Sequence, residues 1–425
     1  MKLNTRITSA ITGAAAAIVA LATMSACKLD ITNPNAATEE GVLTSVAGIR
    51  ALTIGLQGRY GNAMEENIYV PGIVSGELGN TSATQSTTRE FQNFPAGANS
   101  AIDVTNVDLL DIWAKNYAVV KSANDILDNI DNLTFAPGTR AGILAVAKLY
   151  KAMAFGTLIE AFEQIPIETG PEPAFADRAT VLAEVLSLLA SARADATGTT
   201  LTTDFTGSLL APNFDLLNTI RAMQARYSLA AGSYDAALGF ANEVPATASA
   251  VITFAGSDLN PMFVHYHSAR FFGAISGYRT NAEPGDARVA LNTLATPFAA
   301  LGGAATFETN LFTTNVSPIP LFSQDELSLI RAEALARTSR LPEAIAQINI
   351  VRARAGLGGK TSADLPTQAA VLDEIFLQRT YSLLSTGLHW ADERRFGKIS
   401  LAKVRWLPYP ASVRATNPNT PANPT

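Results

Sequence analysis

The sequence has a single cysteine, Cys27, and only three histidines among its 425 residues. One cysteine excludes a disulfide framework and a cysteine-based metal site. The formal net charge is −6, and no stretch gathers lysine and arginine into the basic stripe that a nucleic-acid-binding protein needs. Nucleic acid is therefore excluded as a partner. What the chain does have is a nonpolar fraction of 48%, enough to build a large core.

Sequence signatures of common enzymes are missing too. The chain has no HExxH, no GxSxG and no GxGxxG after a predicted strand. The run GLGGKT at 356–361 resembles a phosphate-binding loop, but the first glycine of that motif would fall on Arg354. His265 and His267 form a close pair, yet the third histidine, His389, is far away in sequence. We therefore predict no catalytic residue, no cofactor and no metal site.

The N-terminus has the features of a bacterial lipoprotein signal. Lys2 and Arg6 precede the apolar run ITGAAAAIVALA, which is too short for a stable membrane span. The small residues Ser25 and Ala26 stand directly before Cys27. This order predicts cleavage before Cys27 and lipid attachment to it, which would anchor the protein to a membrane.

Helical periodicity is strongest between residues 323 and 398. Ser323 is a good N-cap, with Glu326 three residues later as in a capping box. Ile345 and Ile348 fall on the apolar stripe of the following helix. Helices of this length cannot bury such stripes alone, so we expect them to stack in pairs like tetratricopeptide repeats. Further helices are predicted at 41–60, 106–130, 139–163, 177–195 and 213–244.

Three blocks of this region resemble, in order and spacing, the C-terminal half of the SusD/RagB family of outer-membrane nutrient-binding lipoproteins. They are PIPLFSQDELSLIRAEALAR, AIAQINIVRARAGL and IFLQRTYSLLSTGLHWADERRFGK. The chain departs from the family pattern at Gln378, at Thr386–Gly387 and at His389. The resemblance implies a mainly α fold of tetratricopeptide-like stacked helix pairs with an irregular, loop-rich ligand-binding lobe. It also implies a protein that binds nutrients without changing them.

We accordingly predict three segments along the chain. Residues 1–26 form the lipoprotein signal peptide, and residues 27–40 form a tether. Residues 41–425 form a single SusD-like domain. Within this domain the helical scaffold is interrupted by irregular insertions at about 62–102 and 245–322, where the periodicity is lost.

The ligand site is predicted in the irregular regions, because regular helix stacks offer mainly core and solvent faces. Residues 62–102 and 258–283 both mix aromatic rings with polar side chains, the combination that suits sugars and other amphipathic nutrients. We expect the two regions to converge in space. The predicted ligand contacts are the rings that lie off the helical stripes, mostly those with a polar group: Phe91, Tyr266, His267 and Tyr278.

The resemblance further implies a location and partners. The protein would be lipid-anchored in the cell outer membrane at the cell surface. There it would pass an oligosaccharide or peptide nutrient to a SusC-like TonB-dependent transporter. Two alternatives stay open from the residues alone: a lipoprotein hydrolase with an unrecognised carboxylate pair, and a tetratricopeptide scaffold that binds only protein.

Overall fold

A computed structural model describes residues 39–81, 102–256, 258–298, 306–399 and 404–424. The predicted signal peptide, Cys27 and Phe91 lie outside these residues. The chain divides into two units, residues 1–43 and residues 44–425. The described part of the first unit is one short helix, α1 (Glu39–Leu43).

The second unit is mainly helical, as predicted. In chain order its described helices are α2 (Val46–Ser75), α3 (Val107–Asn129), α4 (Pro137–Ala161), α5 (Arg178–Gly198), α6 (Thr203–Ser208), α7 (Leu216–Ala230), α8 (Tyr234–Glu243), α9 (Pro261–Phe263), α10 (Ser276–Thr280), α11 (Ala287–Asn292), α12 (Gln324–Arg337), α13 (Leu341–Arg354), α14 (Gln368–Ser382), α15 (His389–Arg395) and α16 (Ala411–Thr416). The longer helices pack one on the next in the series α2, α3, α4, α5, α7, α8, α12, α13 and α14, which is the arrangement of stacked helix pairs.

The repeat region folds as its sequence pattern predicts. The Ser323 hydroxyl accepts a hydrogen bond from the Glu326 backbone N–H at 3.0 Å and so begins α12. The Glu326 carboxylate does not serve as the second arm of a capping box, because its two oxygens accept hydrogen bonds from Arg226 at 2.6 and 2.8 Å. Ile345 and Ile348 are buried between α12, α13 and α14, which confirms the predicted stripe.

Helix α2 is longer than predicted. The pattern placed its end at residue 60, but the helix runs on to Ser75 and stops at Gly76, whose φ of 74° is left-handed. The extra turns bury Ile68 and Ile73 almost completely. Burial of these side chains outweighs the polar composition of the stretch, so the first irregular region begins after Gly76 and not at residue 62.

Helix α4 forms the centre of the scaffold. It is the one helix in the described part of the chain that is long and apolar enough to cross a membrane. Its most apolar window is 83% buried inside the fold, however, against α3, α5 and α2. The apolar character of α4 is therefore explained by its place in the core.

The segment 245–322, called the lobe here, is less regular than the scaffold but not structureless. Three strands of the lobe, β5 (Phe272–Ile275), β6 (Thr293–Phe298) and β7 (Thr306–Thr309), form a four-stranded antiparallel sheet with β1 (Leu78–Asn80). The strand order is β1–β5–β7–β6, in which Gly79 pairs with Gly273 and Ala274 pairs with Phe307. A turn of π-helix at Val264–Ser268 precedes β5. The strands are β1 (Leu78–Asn80), β2 (Gln164–Pro166), β3 (Phe175–Asp177), β4 (Val251–Ile252), β5 (Phe272–Ile275), β6 (Thr293–Phe298), β7 (Thr306–Thr309) and β8 (Ile319–Pro320).

The three departures from the family pattern are accommodated by local packing. Gln378 donates a hydrogen bond of 2.9 Å to Glu374, and the ring of His389 packs 5.4 Å from that of Phe376. Gly387 has a φ of +77°, and a Cβ there would lie 2.1 Å from the Asn67 carbonyl oxygen. Only glycine fits at that point, where the loop between α14 and α15 crosses α2.

Candidate functional site

Tyr266, predicted as a ligand contact, is completely buried. Its hydroxyl is hydrogen-bonded to the Ser385 hydroxyl in the loop after α14, and its ring lies parallel to that of Phe312 at 6.3 Å. Burial raises the pKa of its phenol well above the ordinary value. The ring therefore has no face open to a ligand and joins the lobe to the scaffold.

Tyr278 is also buried, and its hydroxyl is fully used. The hydroxyl donates to the Tyr381 carbonyl at 2.9 Å and accepts from the Asn292 amide at 2.8 Å. Its ring packs 5.0 Å from that of Tyr381. The two tyrosines do not lie on a helical stripe, but they are still buried, because distant segments of the lobe and scaffold pack around them. We therefore correct the predicted role of Tyr266 and Tyr278 from ligand contact to packing.

His267 keeps a half-buried position at the lobe. Its Nε2 lies 2.7 Å from the Leu311 carbonyl oxygen, which fixes Nε2 as the protonated nitrogen of the ring. Its Nδ1 is 3.5 Å from a carboxylate oxygen of Glu308, which is also paired with Arg270. Of the predicted contacts in the described residues, His267 is the one that retains access to solvent.

The two irregular regions meet through strands β1 and β5, in line with the expected convergence. Asn80 pairs with Phe272, and the Thr81 backbone N–H donates to the Phe271 carbonyl at 2.8 Å. Thr81 is the last described residue before the segment that contains Phe91. Phe271 thus lies beside Thr81, the last residue described before that segment.

Next to this junction is a group of charged side chains that we call the His265 cluster: Glu65 and Glu66 of α2, Lys115 of α3, and His265 of the lobe. His265 Nε2 lies 2.5 Å from Glu65, and Lys115 Nζ lies 3.0 Å from Glu65 and 2.5 Å from Glu66. The side chains of Glu65 and Lys115 are 27% and 31% exposed, so solutes can reach them. The cluster brings together three separate elements at one half-exposed point.

The two carboxylates of the cluster have opposite pKa shifts. Burial raises the pKa of Glu65, but hydrogen bonds and charges from His265 and Lys115 outweigh it and lower the pKa to about 2. For Glu66, burial and the negative charge of Glu65 raise the pKa to about 7 despite Lys115. A pair with such separated values can serve acid–base chemistry. Glu66 is only 2% exposed, however, and so cannot touch a substrate in this arrangement.

Aromatic rings form one wall beside the cluster. His265 lies between the rings of Tyr69, Phe271 and Phe272, at centroid distances of 5.3, 5.6 and 5.0 Å. Tyr69 and Phe272 are buried, whereas Phe271 is half-buried. Phe271 therefore offers the apolar surface, and the His265 cluster offers the polar groups, of a combined site.

Sequence reasoning missed Glu65, Lys115 and Phe271 as members of one site. Glu65 and His265 are 200 positions apart, and nothing in the local pattern joins them. The only sequence signal for Glu65 and His265 was that they belong to the two regions expected to converge. Within the described residues no group of three or more histidine, cysteine or acidic side chains is placed to hold a metal ion.

A stack of helix pairs that carries a small sheet lobe places this chain in the fold class of helical-repeat proteins. Residues 308–424 match the model of the SusD family. No curated protein matches this sequence. The family match confirms, over residues 308–424, the SusD/RagB resemblance predicted from the sequence.

Several solved structures have the same fold as this chain. A SusD superfamily protein from Bacteroides vulgatus superposes with a TM-score of 0.71 at 13% identity, covering 89% of this chain and 99% of that one. One from Bacteroides thetaiotaomicron gives 0.68 at 15% identity, covering 90% and 98%. A SusD-like carbohydrate-binding protein from Bacteroides vulgatus gives 0.67 at 17% identity, covering 82% and 83%. At such identities the likeness establishes the fold alone.

Proposed function

We propose that this protein is a non-catalytic binding protein that captures an oligosaccharide or a similar nutrient on its lobe. The observation that carries the proposal is the His265 cluster beside Phe271, where half-exposed charged groups adjoin a half-buried ring. Sugars have flat apolar faces edged by hydroxyl groups, which match a ring flanked by hydrogen-bonding groups. The carbohydrate-binding relative of the same fold supports this ligand class.

The proposed site differs from the one expected from the sequence. Glu65, Lys115 and Phe271 replace the two buried tyrosines as ligand contacts. His267 stays a proposed contact because it is half-buried at the lobe. Phe91 stays a proposed contact too: it lies outside the described residues, ten positions after Thr81, whose backbone N–H donates to the Phe271 carbonyl.

Calorimetric titration with a panel of oligosaccharides tests the site. Phe271→Ala should weaken binding of the best ligand about tenfold, since a stacked ring contributes area burial and roughly 0.5–1.5 kcal/mol beyond it. Phe240→Ala is a matched control, because Phe240 is a half-buried ring of α8 in the scaffold. Equal affinities for the two variants would refute the proposed site while leaving the binding function open.

Binding and turnover are distinguished by the same panel. Glu66 is too buried to meet a substrate, which weighs against a hydrolase built on the Glu65–Glu66 pair. Purified protein should leave every oligosaccharide intact on prolonged incubation, as judged by chromatography. Release of shorter products that disappears in a Glu65→Gln variant would establish the hydrolase alternative instead.

Two further parts of the proposal concern location. Lipid on Cys27 would anchor the protein in the outer membrane, and a SusC-like TonB-dependent transporter would accept the captured nutrient. Cys27→Ala should release the protein from the membrane fraction or leave the signal uncleaved; a variant that still fractionates as a processed lipoprotein would contradict the anchor. A SusC-like transporter encoded beside this gene should co-purify with the wild-type protein after co-expression.

A further inference from the structure

A cavity of about 260 Å³ lies between the scaffold and the lobe. Helices α2, α4, α7, α12 and α15 contribute to its walls, and the lobe contributes Leu311, Phe312 and residues 319–322. Protein interiors contain few voids larger than a water molecule, which needs only roughly 10–15 Å³ of such space. A space of this size leaves the atoms of its walls without packing partners, so it lowers stability unless a molecule fills it.

The surface that a molecule inside the cavity can touch is mostly apolar. Met64 of α2 and Phe322, which precedes α12, line the cavity and keep 7% and 5% of their surface uncovered by the protein. Leu311, Phe312 and Ala230 line it as half-buried side chains. An aliphatic or aromatic molecule would cover these surfaces, with the hydrophobic effect as the main attraction.

Polar side chains in the wall have hydrogen-bond partners within the protein. The side-chain amide of Asn67 is bonded to that of Asn116, and the Ser323 hydroxyl caps α12. The Thr386 hydroxyl donates to the Leu383 carbonyl at 2.7 Å. Water is held firmly in a cavity only where it finds several polar partners. These groups therefore offer little to water, and an apolar molecule can take its place.

The charged side chains in the wall are paired with opposite charges. Three arginines and three carboxylates line the cavity among the described residues. The ion pairs are Arg226 with Glu326, Arg379 and Arg395 with Asp392, and Glu160 with Arg178 and Arg394. A charged molecule would lose its hydration on entering and would find each of these charges already paired. The cavity therefore favours a neutral molecule.

The size of the cavity sets the size of the molecule. A cavity of about 150 Å³ with aliphatic and aromatic walls takes up benzene. The cavity described here is larger, at about 260 Å³, so it has room for one ring with a short substituent or for an aliphatic molecule of similar volume. No member of the His265 cluster lines it. The cavity is thus separate from the site proposed for the nutrient.

We infer that this cavity is a second binding site, for a small neutral molecule with an aromatic or aliphatic body. The molecule lies between Met64 of α2, Phe312 of the lobe and Ala230 of α7. The inference does not rest on the nutrient-binding function proposed for the lobe. A failure of either leaves the other standing.

Nitrobenzene is a suitable probe, and benzoate is its charged counterpart of the same shape. In purified protein with isotope-labelled methionine methyl groups, the Met64 methyl reports on the cavity wall. Nitrobenzene should shift the Met64 NMR signal saturably and leave that of Met262, which is fully buried and does not line the cavity, unchanged. Benzoate should bind at least about tenfold more weakly, because its carboxylate loses hydration without gaining a free cation.

Filling the cavity gives a second, independent measurement. Ala230→Leu of α7 and Ala391→Leu of α15 add apolar volume from two different walls. Each should weaken nitrobenzene binding at least about tenfold while circular dichroism reports an unchanged fold. Ala370→Leu is the matched control, because Ala370 is a half-buried alanine of α14 that does not line the cavity.

The titration of the wild-type protein decides the matter even if neither filled variant folds. The inference is overturned if nitrobenzene leaves the Met64 signal unchanged or if benzoate binds as tightly. It is also overturned if a folded Ala230→Leu or Ala391→Leu protein binds nitrobenzene as the wild type does.

Discussion

The helix stack α12–α15 and the lobe adjoin each other but bury their side chains by different rules. In α13, Ile345 and Ile348 are buried and Ile350 is 40% exposed, as a helical period requires. In the lobe, Tyr266 is fully buried while Phe271, five positions on, is half-buried. Periodicity thus predicts burial in the stack, whereas in the lobe burial depends on contacts between distant segments.

Buried polar contacts join these two regions. Arg352 of α13 is 1% exposed and binds both Glu283 of the lobe and Glu374 of α14. Arg288 of the lobe donates to the Ser382 hydroxyl at the end of α14 at 2.9 Å. The lobe is therefore fixed to the stack by specific charged groups as well as by apolar packing.

The largest effect is expected from removing the arginine that joins the two regions. Arg352→Ala should lower the free energy of unfolding by about 3–5 kcal/mol, because it leaves the buried Glu374 without its charged partner. Urea unfolding followed by circular dichroism measures this. Arg340→Ala, in a surface pair with Glu343, is the control and should leave the free energy of unfolding nearly unchanged. Similar losses for both would show that the Arg352 contacts are as exposed as the surface pair.

The rule of helical periodicity is tested within α13 itself. Ile348→Ala should cost about 2–5 kcal/mol, since it opens a space among stacked helices. Ile350→Ala, two positions away on the exposed side, should change stability by less than about 0.5 kcal/mol. Thermal unfolding of the two variants gives the comparison, and equal midpoints would contradict the stacked arrangement.

A buried carboxyl at the junction of scaffold and lobe makes stability depend on pH. Glu77 follows the end of α2, and neither of its carboxyl oxygens receives a well-formed hydrogen bond in the described part of the chain. Burial raises its pKa to about 8, so the folded state keeps a proton that the unfolded state releases above its ordinary pKa of 4.5. The contribution of Glu77 to stability is therefore fully present below pH 4.5 and is lost as the pH rises to about 8.

Glu77→Gln should remove this loss. Each pKa unit corresponds to about 1.4 kcal/mol, and water that reaches an ionised Glu77 reduces the effect, so we expect the variant to be more stable than the wild type by about 2 kcal/mol at pH 9. At pH 4 the two proteins should have similar stabilities. Urea midpoints across this range provide the measurement; parallel curves for both proteins would show that Glu77 ionises normally.

The smallest effects are expected from the tyrosine hydroxyls of the lobe. Tyr266→Phe and Tyr278→Phe should each cost about 1 kcal/mol, because each loses hydrogen bonds to the scaffold or lobe but keeps its ring. Neither change should alter nutrient affinity if the tyrosines only pack. A variant that keeps full stability but loses affinity would restore the ligand-contact role predicted from the sequence.

The helical part of the fold could be predicted from the sequence, because helix formation and side-chain direction depend on residues close together along the chain. Ser323 begins α12 and Ile348 is buried as expected, since a helix sets the direction of each side chain from its position alone. The end of α2 was misplaced, because tertiary burial of Ile68 and Ile73 overrode a polar local composition. Regular spacing thus predicted the elements better than it predicted their limits.

The candidate site could be predicted only as two regions that should meet. Strand pairing of Asn80 with Phe272 brings them together as expected. Which residues of the two regions contact the ligand could not be predicted from the sequence, because a tyrosine in an irregular segment has no periodic position that indicates whether it is buried. His265 and Glu65 form their contact only because α2, α3 and the lobe are packed together.

By itself the sequence determined the helix pairs, the family resemblance and the absence of familiar catalytic motifs, since each of these depends on residues close together along the chain. The tertiary structure alone decided which rings are buried and which carboxylates share Lys115. These properties depend on distances between segments that are far apart in sequence. Burial and Coulomb interactions follow those distances and not the order of residues.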